Sequence, residues 1–388
     1  MSAEPSHLPL TAVKDLMAPG EALPFQVLDG QGRLLLAAGQ RVMDVRQLQA
    51  LLERGACVRY VDAQSVRAAR AAGRQAGSLA PSARRRTLFD AWEQQIWALD
   101  ALLRQVGRHT SLEPLIRQFA DELTQLIDHH PDAALFLCMR QDDRRFALYG
   151  LTHGLYTACV ALFAARQLAW PVAQQTTLMC AALTMNVSLL ELQARMAEQT
   201  DPPSKRQLEE IRGHTSRSVE SLRLSGVSDE SWLQTVAEHH EQPGGGGYPA
   251  GLSEVCEMAR LLRASDVFMA KISPRALRAP LQPQVAAREL FRAENGGPLA
   301  AALIKSLGVY PPGDFVRLKG GELAIVVQRL PAGTAPRVMQ LLDAAGKPAR
   351  GMPRRDTSQP EWAIAGPATS QGLNLRILPE QVYGLVEF

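Results

Sequence analysis

Chemistry concentrates in one string, His239-His240-Glu241-Gln242-Pro243-Gly244-Gly245-Gly246-Gly247-Tyr248-Pro249. Adjacent imidazoles at the end of a helix can both reach one site when the last turn loosens. Neutral imidazole is a good ligand for borderline ions such as Fe, Zn or Mn. The glycine run permits positive φ and a close approach of backbone to a ligand. His214 lies 25 positions before His239, and Asp266 lies 26 after His240 on an apolar helix. His153 opens an uncharged helix. Four histidines and one aspartate spread over the helices of one domain are a set that gathers a metal. The plainer reading of the histidine pair alone is a satisfied polar pair beside a loop. Of the eight histidines, His7, His109, His129 and His130 fall outside this group.

The elements that must position these residues read as mainly α. Segments 147–168, 172–196, 204–225, 228–240, 254–274, 282–296 and 298–307 carry helical apolar spacing. The breaks between them fall at Pro and Gly, which predicts an all-helical domain over 131–310. Residues 1–62 read as a small α+β module. It holds a hairpin of Phe25–Asp29 and Arg33–Ala38, a helix capped by Asp44 and running through Arg54, and a closing strand Val58–Val61. Residues 63–130 read as a linker followed by two connecting helices. Within residues 63–86, six arginines (Arg67, Arg70, Arg74, Arg84, Arg85 and Arg86) occur without an acid, which fits a solvated spacer or a basic patch for an acidic or phosphate-bearing partner. Residues 311–388 read as a β-rich appendage with strands at Phe315–Leu318, Leu323–Gln328, Arg337–Leu342 and Trp362–Ala365, and a loop over 343–360.

Composition narrows the classes. A chain of 388 residues implies two or three domains, and 46% apolar with 21% charged residues excludes disorder over most of it. The net charge of +3 and an aromatic content of 5% give no reason to expect nucleic acid as a partner. Five cysteines (Cys57, Cys138, Cys159, Cys180 and Cys256) contain no CxxC pair, so a reducing compartment fits. Met1–Leu10 has no apolar core of a secretory signal. Two uncharged stretches, Phe146–Ala165 and Gln167–Leu190, are long enough to cross a bilayer but too polar for it, so they read as buried helices. The expectation is a cytoplasmic protein without a membrane span.

The string His239-His240-Glu241, Gly245-Gly246-Gly247-Tyr248-Pro249 and Gly251-Leu252 resembles the signature of the HD-GYP domain, a branch of the HD superfamily of metal-dependent phosphohydrolases. The resemblance covers about 131–310. It includes Thr152-His153, Ala181-Ala182-Leu183, His214 and Ala264-Ser265-Asp266-Val267-Phe268, with Arg275-Ala276-Leu277-Arg278 matching an Arg-Pro-Tyr-Arg segment altered in its middle. The appendage from Leu307 and the front module around Pro24–Ala38 also look like parts of some members. The resemblance implies hydrolysis of cyclic di-GMP, a bacterial second messenger, on two or three metals, often iron. It implies His153 and Asp266 as ligands of one metal, His214, His239 and His240 as ligands of a second, and an aspartate of the HD pair bridging them. The GYP loop, with Gly245, Gly247, Tyr248 and Pro249, would be a partner surface, one candidate partner being a cyclic di-GMP synthase domain. Lys271, Arg275 and Arg278 would hold a phosphate, or else be solvated or paired with carboxylates.

One tract departs from the family. Where its members read Ala-Ala-Leu-Leu-His-Asp-Ile-Gly-Lys, this chain reads Ala181-Ala182-Leu183-Thr184-Met185-Asn186-Val187-Ser188-Leu189. A thioether is a poor ligand for hard Fe or Mn, a neutral amide does not bridge two cations, and leucine does not contact a phosphate. A hydroxide nucleophile shared by two metals needs both of them. The expectation is therefore a degenerate HD-GYP protein of cyclic di-GMP signalling that binds nucleotide or a partner protein without hydrolysis. The rivals are a phosphodiesterase with an unusual site and a scaffold that binds no nucleotide. Three histidines plus water suffice for one Fe, Zn or Mn ion at His214, His239 and His240. The alternative is a metal-free, hydrogen-bonded cluster.

Overall fold

The computed structural model describes residues 6–17, 20–42, 45–71, 87–141, 145–330, 335–369, 377 and 379–384. The expected Asp44 cap and the arginines Arg74, Arg84, Arg85 and Arg86 lie outside the described residues.

The front module is a four-stranded antiparallel sheet of β1 (His7–Pro9), β2 (Val27–Leu28), β3 (Leu34–Leu36) and β4 (Cys57–Arg59), in the order β1-β4-β2-β3. Its β2–β3 turn is organised by Asp29, which accepts from the backbone N–H groups of Gln31 and Arg33 at 2.9 Å each and from the Arg33 side chain at 2.7 Å. Helix α1 (Val45–Glu53) packs against α3 (Leu88–Leu103). There Arg54 makes a bidentate pair with buried Asp100 at 2.9 and 2.7 Å. The expected strand Val58–Val61 ends at Arg59, because α2 (Tyr60–Ala71) takes over and occupies the start of the expected linker. Arg67 and Arg70 of that helix donate to the carbonyls of Ala12, Asp15 and Leu16, so these two cations fasten the module to itself.

Helices α4 (Glu113–His129) and α5 (Pro131–Met139) lead into the main body. At its centre lies α6 (Tyr149–Gln167), buried along nearly its whole length and packed against α7 (Val172–Thr184). A helix apolar all round belongs inside a core. Its window is long and apolar enough to cross a membrane, and 83% of that window is buried inside the fold. Gly150 lets α6 approach α8 (Leu190–Glu198): a Cβ there would stand 3.0 Å from Leu190 and 3.2 Å from its Cα. The expected helix 172–196 is therefore two helices. Between them, residues 185–189 form turns bonded from Val187 N to Thr184 O and from Leu189 N to Asn186 O.

The expected helix 204–225 is also two, α9 (Lys205–Arg212) and α10 (His214–Leu224), meeting at Gly213. Then come α11 (Glu230–Glu238), α12 (Glu257–Ile272), α13 (Pro283–Ala293) and α14 (Pro298–Leu307). Both α12 and α14 pack on α6.

The appendage is a five-stranded antiparallel sheet, β8-β7-β6-β5-β9, made of β5 (Phe315–Leu318), β6 (Leu323–Gln328), β7 (Arg337–Leu342), β8 (Arg354–Asp356) and β9 (Ile364–Pro367). Strand β8 falls inside the segment expected to be a loop. It is an edge strand of polar residues held by backbone pairing to β7, which no apolar alternation announces. One face of the sheet packs on Phe136 of α5 and on Val382 and Tyr383 of α15 (Pro379–Tyr383).

Asp314, at the start of β5, is buried and accepts from Gln284 of α13. Burial raises its carboxyl from 3.8 to about 7 against the opposing pull of the Gln284 and Phe315 donors. The fold thus favours the neutral acid, and stability falls as pH rises from about 4 to about 7, with a constant penalty above. A shift of this size corresponds to about 4 kcal/mol as an upper bound. Urea unfolding of Asp314→Asn should match the parent near pH 4 and exceed it by roughly 1–4 kcal/mol at pH 8. A gap independent of pH would contradict this account.

Candidate metal centre

Three of the expected ligands converge. One ring nitrogen each from His214, His239 and His240 lies within 4.8 Å of the others. His214 opens α10 just after the Gly213 break, and His239 and His240 follow the last turn of α11. His214 and His239 are fully buried. His214 Nδ1 faces the Ile211 carbonyl at 2.5 Å, and His239 Nδ1 faces the Val236 carbonyl at 2.7 Å. A carbonyl only accepts, so each Nδ1 carries the proton and each Nε2 presents a lone pair. Those two Nε2 atoms stand 3.3 Å apart. Burial, and then the neighbouring imidazoles, lower His214 and His239 to about 4 and His240 to about 3. All three are neutral at physiological pH, the form that ligates.

Two buried lone pairs that face each other repel unless a cation lies between them. Imidazole nitrogens at 2.0–2.1 Å from a tetrahedral ion stand about 3.3–3.4 Å apart, so the observed spacing fits one. The residues fit a single ion with three protein ligands. Anchoring of Nδ1 by backbone carbonyls is the usual outer support of such a site.

The other expected ligands behave differently. His153 of α6 and Asp266 of α12 are both buried and bond directly, Nε2 to Oδ1, at 2.6 Å. Burial alone would push the Asp266 carboxyl up. The His153 bond and charge, with His240 and His239 nearby, hold it well below the usual carboxylate range. His153 Nδ1 is buried with no partner among the described residues, so this ring lacks the carbonyl anchor of the triad. Met185, Asn186 and Leu189 are all buried in the turn after α7. Ser188, in the same turn, donates to the His214 carbonyl at 2.9 Å and bonds Ser218 at 2.9 Å, which clamps this turn to α10.

The three expected phosphate cations separate. Lys271 pairs with Glu289 at 2.5 Å, and Arg278 donates to the Ala270 carbonyl at 2.5 Å. Arg275 donates to the Tyr149 hydroxyl at 3.0 and 2.5 Å, and the Tyr149 ring stacks on His153 at 5.5 Å between centroids. Arg275 is thus tied to the site through one aromatic ring.

In the loop, Gly245 has φ +85°, and at Gly247 a Cβ would stand 2.4 Å from Glu241 Cα and Gln242 N. Tyr248 stacks on His240 at 4.7 Å and is half-buried, and the bond to Pro249 is cis. The expected partner anchor therefore already covers one histidine of the triad with its ring. Sequence reasoning missed what holds the loop. Buried Glu241 accepts from the N–H groups of Ala250, Gly251 and Leu252 at 2.6, 3.2 and 3.1 Å. Glu238 adds a bond from Cys256 N at 2.8 Å. The signal was an acid between two histidines and a run of glycines, where free N–H groups are plentiful.

A family model described as "HD domain" matches residues 121–296. Over that stretch the chain is similar to HD domains. The match begins within α4 and ends after α13, narrower than the expected 131–310 at its far end and wider at its start. Cyclic di-GMP phosphodiesterase PA4108 of Pseudomonas aeruginosa is 25% identical to this chain over 235 residues. The matched stretch is 58% of this chain, and the chain spans about half of that relative, 55% of its length. A solved structure of Bd1817, a HDG"Y"P protein from Bdellovibrio bacteriovorus, aligns over 76% of this chain and 97% of that chain, with a TM-score of 0.49 and 13% identity. At that score the likeness is too loose to argue from. The stretch that matches carries the histidine triad on α10 and the end of α11, and the His153–Asp266 pair on α6 and α12.

Removing Glu241 leaves three N–H groups without their acceptor. Glu241→Ala should cost roughly 2–4 kcal/mol in chemical denaturation and speed hydrogen exchange at residues 250–252, whereas Glu241→Gln should lose less. Unchanged exchange at those amides would show that the loop is held by something else.

Proposed function

We propose that this chain is a degenerate HD-GYP protein of bacterial cyclic di-GMP signalling, which binds the nucleotide or a signalling partner and does not hydrolyse the phosphodiester. The observation that carries this reading is the Met185-Asn186 turn beside the buried triad. The tract supplies neither a third nitrogen ligand for the His153–Asp266 side nor a carboxylate able to bridge two cations. His153 and Asp266 instead bond to each other directly.

One ion, Fe, Zn or Mn, would be held by His214, His239 and His240, and when bound would supply a Lewis-acidic centre for a phosphate oxygen. The protein's own groups prepare for such a ligand. Ile211 and Val236 fix two rings, Tyr248 stacks on the third, and Arg275 stands one ring away from His153 as a phosphate-binding cation. The likeness to a cyclic di-GMP phosphodiesterase supports this nucleotide as the ligand. The exposed glycines Gly244–Gly246 and Pro249 leave the outer side of the loop open for a partner, a cyclic di-GMP synthase domain being the candidate. Localisation in the cytoplasm is part of the same proposal.

Anaerobically purified protein should hold close to one ion per chain, and His239→Ala should lose it. Titration calorimetry should detect cyclic di-GMP binding, weakened about ten-fold or more in Arg275→Ala, on the strength of a charge-assisted hydrogen bond. No linearised product should form with added Fe, Mn or Zn. Measurable hydrolysis by the parent would establish the phosphodiesterase reading, and absence of nucleotide binding would leave the scaffold. Hydrolysis appearing only after Met185→His with Asn186→Asp would show that these two positions are what the site lacks.

A further inference from the structure

A second cavity lies away from the metal centre, between α12, α13, α14 and the turn that follows α14. Its volume is about 340 Å³. Its walls are apolar: Phe268, Phe291, Ile304, Leu307 and Val309. At its mouth Phe291 and Val309 are 44% and 55% exposed, although they are large hydrophobic side chains. Such a volume, with apolar walls and few polar groups, is that of a small-molecule site.

The polar groups are specific. Arg288 lines the cavity, is exposed, and makes no ion pair among the described residues. Arg292, one turn further along α13, is also exposed. The acids that could neutralise them are committed elsewhere, Glu289 to Lys271 and Glu294 to Arg263. The mouth is therefore basic and the interior greasy. On the wall, Gln284 spends its Nε2 protons on the Val309 carbonyl and on Asp314, and its Oε1 is buried without a partner among the described residues.

We propose that this cavity binds a small amphipathic carboxylate. Its aliphatic or aromatic body fills the space between Phe268 and Phe291, and its head group pairs with Arg288. Arginine suits this head group because its planar fork matches a carboxylate. The site is separate from the nucleotide site, but both touch α12, which carries Phe268 on the cavity and Asp266 on the metal centre.

The test is calorimetry and thermal melting of the full chain with decanoate, 3-hydroxydecanoate, decanol and decylamine. Decanoate and 3-hydroxydecanoate should bind and raise Tm, decanol should bind about ten-fold more weakly than decanoate, and decylamine should not bind. Arg288→Gln, an exposed change that leaves the cavity walls intact, should bring decanoate down to the level of decanol. Ala287→Trp should fill the space and abolish all binding. Failure of every probe on the parent protein would overturn the proposal. So would binding that Arg288→Gln leaves unchanged, or equal binding of acid and amine.

Discussion

Two nitrogen lone pairs, each on a fully buried imidazole, face each other across 3.3 Å. Much of the helical domain is arranged so that this repulsive contact exists. Backbone carbonyls take the Nδ1 protons of His214 and His239, so neither ring can turn its N–H toward the other without losing a bond. Burial removes the simpler escape of protonating a ring. The arrangement is relieved by a positive ion and by little else.

The fold delivers this contact through three devices. The break at Gly213 sets His214 at the head of a new helix, while the end of α11 brings His239 and His240 to it. Ser188 ties the turn after α7 to the carbonyl of His214. The fully buried Trp232 of α11 donates from its indole to Thr184 Oγ1 at 2.9 Å, so the same turn is pinned from a second side. The segment from Thr184 to Leu189 is thus held from two sides. The polar side chains of Thr184 and Ser188 are built into hydrogen bonds that an apolar or glycine residue at those positions would not make.

The histidines and the aspartate of the candidate site were legible because imidazole and carboxylate at helical positions are rare and chemically specific. The overall class, a helical body with a small sheet at each end, followed from apolar spacing and from the positions of Pro and Gly. Two kinds of feature were not legible. The helix expected over 172–196 keeps its apolar pattern through Met185, Val187 and Leu189, so nothing local announces its break. It ends because Ser188 and Thr184 find partners distant in sequence. Strand β8 consists of Arg354, Arg355 and Asp356, polar residues whose pairing is made by backbone alone. Glu241 was visible as a residue but not as a clamp, since its three partners are N–H groups that every sequence has. The same holds for Lys271, whose partner Glu289 is on another helix.

The Glu241 clamp has a thermodynamic consequence. Small metal domains commonly order only when the ion arrives, so ion affinity and folding are one equilibrium. Here the loop behind the triad is held by a carboxylate that is no ligand, and two of the rings are fixed by carbonyls. The ordering entropy is already spent in folding the protein, and ion binding need not repeat that expense. A site built in this way would exchange an ion without unfolding, and its occupancy would follow the ion's concentration in the surroundings while the loop keeps one shape.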